Sequence, residues 1–145
     1  MPSSGRNVRY ILGVEGIGPD DTFYDLGCGD GRVVRAASDL GARAIGVDYN
    51  PFLILWARFV SWLVGDDDAR FVRGDLFKHS VSDATVIYLY ALRGKVEGRL
   101  LKKLFRECRP GTRIISYRYP IEGLGRRRTI QCPGILGSKA FVYVI

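Results

Sequence analysis

The chain has 145 residues, of which 47% are hydrophobic and 26% charged, and its formal net charge is +7. That length suits one domain over residues 1–145 with a real core, and that balance excludes disordered and fibrous classes. The three cysteines, Cys28, Cys108 and Cys132, are far apart and lack CxxC spacing, so a disulfide framework and a zinc site are both excluded and a reducing, cytoplasmic setting is expected.

The N-terminal "MPSSGRNVRY" has no signal-peptide h-region. "VRYILGVEGIGPDD" then sets Val8, Ile11 and Leu12 at helical spacing before a Gly/Pro/Asp turn, which predicts a short helix leading into the first strand. "TFYDL" is that strand, and "RVVRAASDLG" is a helix closed by Gly41. "ARAIGVDYN" is a second strand ending in an acid. Asn50 followed by Pro51 is a helix start, an N-cap with proline in the first turn. The helix it opens carries Phe52, Leu55, Trp56, Phe59, Val60 and Leu63, an apolar face expected to lie on the sheet. Arg58 interrupts the stretch, and its length is below what a membrane span requires.

"ARFVRGDLF" is a third strand and loop, and "ATVIYLYAL" a fourth strand, apolar nearly throughout as a buried parallel strand requires. "KVEGRLLKKLFREC" puts Val96, Leu100, Leu104 and Phe105 on one face of a helix that Pro110 and Gly111 end. "TRIISYRYPI" is a fifth strand, and the tail "RTIQCPGILGSKAFVYVI" reads as two strands joined by a Pro/Gly turn. Strand–helix alternation followed by a hairpin predicts an α/β fold: a Rossmann-like open sheet, mostly parallel, with an antiparallel C-terminal hairpin.

Ligands of such sheets bind where the first strand feeds the first helix. There the chain reads "DLGCGDG", with glycines at alternate positions 27, 29 and 31. A dinucleotide fingerprint would read G-x-G-x-x-G and serve a pyrophosphate, which Asp25 and Asp30 would repel. Two carboxylates suit a cationic, phosphate-free ligand such as S-adenosylmethionine. Asp48, closing the second strand, is placed to accept both ribose hydroxyls. Asp75 in "RGDLF" is placed to accept from an adenine amino group, with Leu76 and Phe77 packing on the ring; capping its own turn is the plain structural alternative.

Together, "DLGCGDGR", "GVDYNP" and "GDLF" resemble the cofactor site of class I S-adenosylmethionine-dependent methyltransferases. More narrowly, "GPDDTFYDLGCGDGRVV", "GARAIGVDYNP", "LYALRG" and "RPGTRIISYRYPI" resemble the small archaeal protein-lysine methyltransferases and their mitochondrial relatives. The resemblance implies that Asp25, Gly27 and Gly29 meet the methionine part of S-adenosyl-L-methionine, Asp48 the ribose, and Asp75 with Leu76 the adenine. It also implies transfer of methyl groups to lysine side chains of proteins, with relaxed specificity. Members of that subfamily usually carry Tyr-x-Pro-Thr before the first helix; here Met1-Pro2-Ser3 stands there, and a weaker closure over the cofactor is expected.

Methyl transfer requires alignment of nucleophile, methyl and sulfur, and neither a metal nor a covalent intermediate. The single histidine, His79, is read as a surface residue. Tyr88 and Tyr90 on the fourth strand, and Tyr117 and Tyr119 near the end of the fifth, are candidate walls of an acceptor channel, with Tyr90 and Tyr119 preferred. "YLYALRG" lacks the Asn-Pro-Pro-Tyr type tetrad that holds planar amide or base-amine acceptors. The net charge leaves nucleic acid possible as a partner, through Arg126 to Arg128. An RNA or small-molecule methyltransferase of the same fold and a non-catalytic cofactor-binding module therefore stand as alternatives.

Overall fold

The computed structural model describes residues 5–66, 68–90, 95–134 and 138–145, without the side chains of 95–97, 126 and 127. Its elements are α1 (Gly5–Val14), β1 (Thr22–Leu26), α2 (Arg32–Asp39), β2 (Arg43–Asp48), α3 (Pro51–Leu63), β3 (Arg70–Arg73), β4 (Val86–Tyr90), α4 (Lys95–Glu107), β5 (Arg113–Tyr117), β6 (Arg126–Gln131) and β7 (Lys139–Val144). They build one seven-stranded sheet of order β3-β2-β1-β4-β5-β7-β6. The strands from β3 to β5 pair in parallel, and β7 pairs antiparallel with both β5 and β6. This is the open, mostly parallel sheet with a C-terminal hairpin that the sequence predicts.

Local chemistry explains the boundaries. The Asn50 side chain accepts from the N–H groups of Phe52 and Leu53, so α3 starts where the N-cap and proline place it. At the end of α2, Gly41 takes φ +93° and the N–H groups of Gly41 and Ala42 satisfy the carbonyls of Ser38 and Ala37. β4 lies at the centre of the sheet, and Val86, Ile87, Tyr88 and Leu89 are all buried, as a strand covered on both faces requires.

One sheet face carries Val8, Ile11, Val34, Ile54 and Ala57 of the first three helices over Phe23, Tyr88 and Ile115. The other carries Leu100 and Leu104 of α4 over Tyr24, Ile87 and Ile114. Glu15, buried just beyond α1, ties that helix to the far strands: its carboxylate binds Arg128 at 2.7 Å and approaches Arg113 at 3.5 Å. Removing one partner of such a buried pair leaves an uncompensated charge, the costly case.

Two expected faces turn out differently. On α3 the sheet side is Ile54, Ala57 and Ser61, whereas Phe52, Leu55, Trp56, Phe59 and Leu63 are exposed and Val60 is half-buried. The packing is closest at Ala57: a Cβ on Gly31 would lie 3.0 Å from the Ala57 Cβ and 2.5 Å from the Phe71 ring, which leaves no room for a ring at that position of the helix. On α4, Leu100 and Leu104 are buried as expected but Phe105 is exposed. The inward neighbour is instead Lys103, whose ammonium donates to the His79 carbonyl at 2.5 Å and pairs with Glu107. The Val96 side chain lies outside the described residues.

Candidate active site

The strand order reverses between β1 and β4, and a cavity opens there at the carboxyl ends of the strands. It holds about 360 Å³ and is lined by Asp25, Gly27, Cys28, Gly29, Asp30, Arg32, Val33, Leu53, Tyr88 and Tyr90. Gly27, Gly29 and Gly31 all take left-handed φ angles, +88°, +55° and +82°, which L side chains adopt only at a cost. Their surroundings separate their roles. A Cβ at Gly27 or Gly29 would meet nothing within 4 Å, so these two keep bare backbone towards the cavity, whereas Gly31 is pressed against Phe71 and Ala57.

Asp48 holds the loop in place: one carboxylate oxygen accepts from the Gly29 N–H and the other from the Asn50 N–H, each at 2.9 Å. Asp30 is engaged by Arg32 at 2.6 Å. Burial pushes the Asp30 pKa up, but the hydrogen bonds and charge of Arg32 outweigh it and the net shift is down. Asp25 is different. It is buried on β1, and desolvation, then the Asp48 and Asp30 charges, push its pKa up to about 8.

Tyr90 sits at the end of β4, its ring centroid 5.5 Å from that of Tyr117, its register partner on β5. Tyr88 lines the same cavity. Tyr119 is not among the lining residues: β5 ends at Tyr117, and Arg118 at φ +72° breaks the alternation that would have put Tyr119 beside it. Asp75 caps its own turn, accepting from the Phe77 N–H at 2.8 Å, and neither it nor Leu76 lines this cavity. The Arg99 guanidinium covers the Phe77 ring at 4.0 Å. His79 is half-buried rather than exposed, with its ring 6.0 Å from Tyr24.

Leu53, Arg32 and Val33 were missed by sequence reasoning. The available signals were the position of Leu53 in the turn opened by Asn50 and the Asp30-x-Arg32 spacing that neutralises one carboxylate of the motif. Residues 1–4 and 91–94, which include the Met1-Pro2-Ser3 departure and the end of "LYALRG", lie outside the described residues.

The family described as the ANTKMT methyltransferase domain matches residues 25–128. This chain belongs to that family. A protein-lysine N-methyltransferase of Saccharolobus islandicus is 34% identical over all of this chain and 92% of its own length. The adenine nucleotide translocase lysine N-methyltransferase of Mus musculus is 34% identical over 83% of this chain; the match spans 54% of that longer relative. A solved RNA methyltransferase from Salinibacter ruber, in complex with S-adenosyl-L-homocysteine, superposes at a TM-score of 0.89 with 34% identity, over the whole chain and 94% of its own.

As a member of this methyltransferase family the protein uses S-adenosyl-L-methionine, and the donor set fits that cofactor. The Asp25 carboxyl is buried beside the negative charges of Asp48 and Asp30 and lines a cavity with apolar flanks from Val33 and Leu53. A ligand carrying a positive charge offsets that accumulation of negative charge. No helix of the described residues is long and apolar enough to cross a membrane.

Proposed function

We propose that the protein is an S-adenosylmethionine-dependent protein-lysine N-methyltransferase in which the cavity beneath "DLGCGDG" holds the cofactor and the tyrosines beside it receive the acceptor amine. The observation that carries this reading is the buried Asp25 carboxylate beside Tyr88 and Tyr90 in one cavity. In this reading Asp25 with Gly27 and Gly29 binds the methionine end, and Asp48, which is not among the lining residues but is tied to the Gly29 N–H, takes the ribose. Asp75 and Leu76, just after β3, take the adenine. The full-length likeness to the Saccharolobus islandicus lysine methyltransferase supports the acceptor class. The buried state of all three free cysteines supports a reducing, cytoplasmic setting.

The bound cofactor supplies an electrophilic methyl group on a positively charged sulfur. The chain's own task is to present a neutral amine in line with it. Deprotonating a lysine of ordinary pKa, about 10.4, at pH 7 costs about 4.6 kcal/mol. The tilted ring pair of Tyr90 and Tyr117 offers a desolvating wall, which disfavours the ammonium form. Arg118, its guanidinium 5.7 Å from the Tyr117 ring centroid, adds a positive charge that works in the same direction. Of the three arginines that the basic run offers to nucleic acid, Arg128 is committed to Glu15, which favours a protein acceptor over RNA.

Radiolabelled S-adenosylmethionine incubated with the enzyme and cell extract tests this. Label is expected to be lost on protease digestion, retained on nuclease digestion and recovered as methyl-lysine; label that survives protease and disappears with nuclease would establish an RNA acceptor instead.

The elevated Asp25 acid makes a separate prediction. Between pH 3.8 and about 8 the folded apo protein holds a proton that the unfolded chain has released. The stability from this group is therefore complete below that window and lost as pH rises through it. Cofactor binding reverses the preference, because a cation favours the carboxylate. S-adenosylmethionine affinity is thus expected to rise between pH 6 and 8.5, with proton release seen by calorimetry in buffers of different ionisation enthalpy. Asp25→Asn is expected to abolish both; a wild-type affinity independent of pH would refute the assignment.

A further inference from the structure

Nothing in the methyltransferase site uses the outer face of α3. Apart from Arg58 and Ser61 the helix is apolar, but it buries only the narrow stripe of Ile54, Ala57 and Ser61. Phe52, Leu55, Trp56, Phe59, Trp62 and Leu63 remain between 48% and 78% exposed. At about 100° per residue they centre on the arc opposite that stripe, so they form one continuous strip along the helix. Since a free side chain of this size presents roughly 150–250 Å², the exposed part of the strip amounts to on the order of 600–900 Å². Monomeric proteins rarely leave so much apolar surface in one patch.

We infer that this face is a self-association surface on which a second copy of the chain packs its own α3 across a two-fold axis. Three observations select that occupant. The area is about what one side of a standard interface buries, about 800 Å² per partner. The strip carries no ionisable group: the only one on α3, Arg58, donates to the Phe71 carbonyl at 2.8 Å. Two copies of a chain with net charge +7 can therefore meet here without opposing like charges. The rings are also ordered among themselves, Trp56 to Phe59 at 5.9 Å and Phe59 to Trp62 at 6.2 Å, so little side-chain freedom remains to be lost on docking. A lipid surface fits less well. Interfacial helices are rich in Lys and Arg on their polar face, whereas α3 is followed by Asp66, Asp67 and Asp68, which anionic headgroups repel.

Sedimentation velocity and light scattering of the full chain across the micromolar range are expected to give twice the 16.2 kDa chain mass. The chain's two tryptophans, Trp56 and Trp62, both lie on this face, so dilution through the transition should red-shift all of the indole emission. Phe59→Glu and Trp62→Glu are expected to weaken association at least ~100-fold, with the circular dichroism spectrum and cofactor affinity unchanged. Lys102→Glu, on exposed α4 surface, is the matched control and should remain dimeric. A monomeric wild type, or glutamate variants that still dimerise, would overturn the inference. Flotation of monomeric wild type on phosphatidylserine vesicles would overturn it in favour of a lipid occupant.

Discussion

Asp48→Ala is expected to cost at least ~100-fold in affinity for S-adenosylmethionine and S-adenosylhomocysteine by titration calorimetry, with the fold retained. The size follows from what the carboxylate is proposed to do. Two hydrogen bonds from ribose hydroxyls to a charged acceptor contribute about 1.5–3 kcal/mol each, and about 3 kcal/mol already corresponds to more than a hundredfold. A second loss adds to this. Asp48 also accepts from the Gly29 N–H, and Gly29 belongs to the loop whose bare backbone faces the cavity. Asp48→Asn separates the two contributions. Its amide oxygen can still receive the Gly29 N–H while its charge is gone, so an affinity between those of wild type and alanine is expected. Wild-type affinity in the alanine variant would show that the ribose is held elsewhere.

The same carboxylate illustrates how far the sequence could be read. An acid at the end of a second strand, in register with spaced glycines, marks a site because both features follow from backbone rules that hold in any such sheet. The N-cap of α3, the glycine closing α2 and the apolar run of β4 are equally local signals. What stayed hidden depends on contacts between elements. A helix apolar on most of its circumference has no clearly preferred face in its own pattern; α3 is oriented by its packing on the sheet, where Ala57 fits closely beside Gly31 and Phe71 and the aromatic rings are left outside. α4 buries Lys103 because the His79 carbonyl and Glu107 satisfy its ammonium, a partnership that spacing alone does not reveal. Tyr119 looked equivalent to Tyr117 only under strict alternation, which the left-handed Arg118 ends.

Gly31→Ala is expected to be the most destabilising single change in the glycine motif, by about 3 kcal/mol, lowering Tm by roughly 10 °C. Two causes act together. An L residue at φ +82° is strained by about 1–2 kcal/mol. Its Cβ would also lie 2.5 and 2.7 Å from two carbons of the Phe71 ring and 3.0 Å from the Ala57 Cβ, so α3 or the ring must move. Overpacking of this kind costs about 1–3 kcal/mol. Gly29→Ala shares the backbone strain at φ +55° but meets no atom within 4 Å, so its stability loss should be smaller while its cofactor affinity falls. Thermal melting paired with cofactor titration distinguishes the two glycines. Phe71→Leu in the Gly31→Ala background should recover part of the loss, because it removes the ring that the new methyl strikes. Simple additivity of the two changes would mean that backbone strain alone accounts for the glycine.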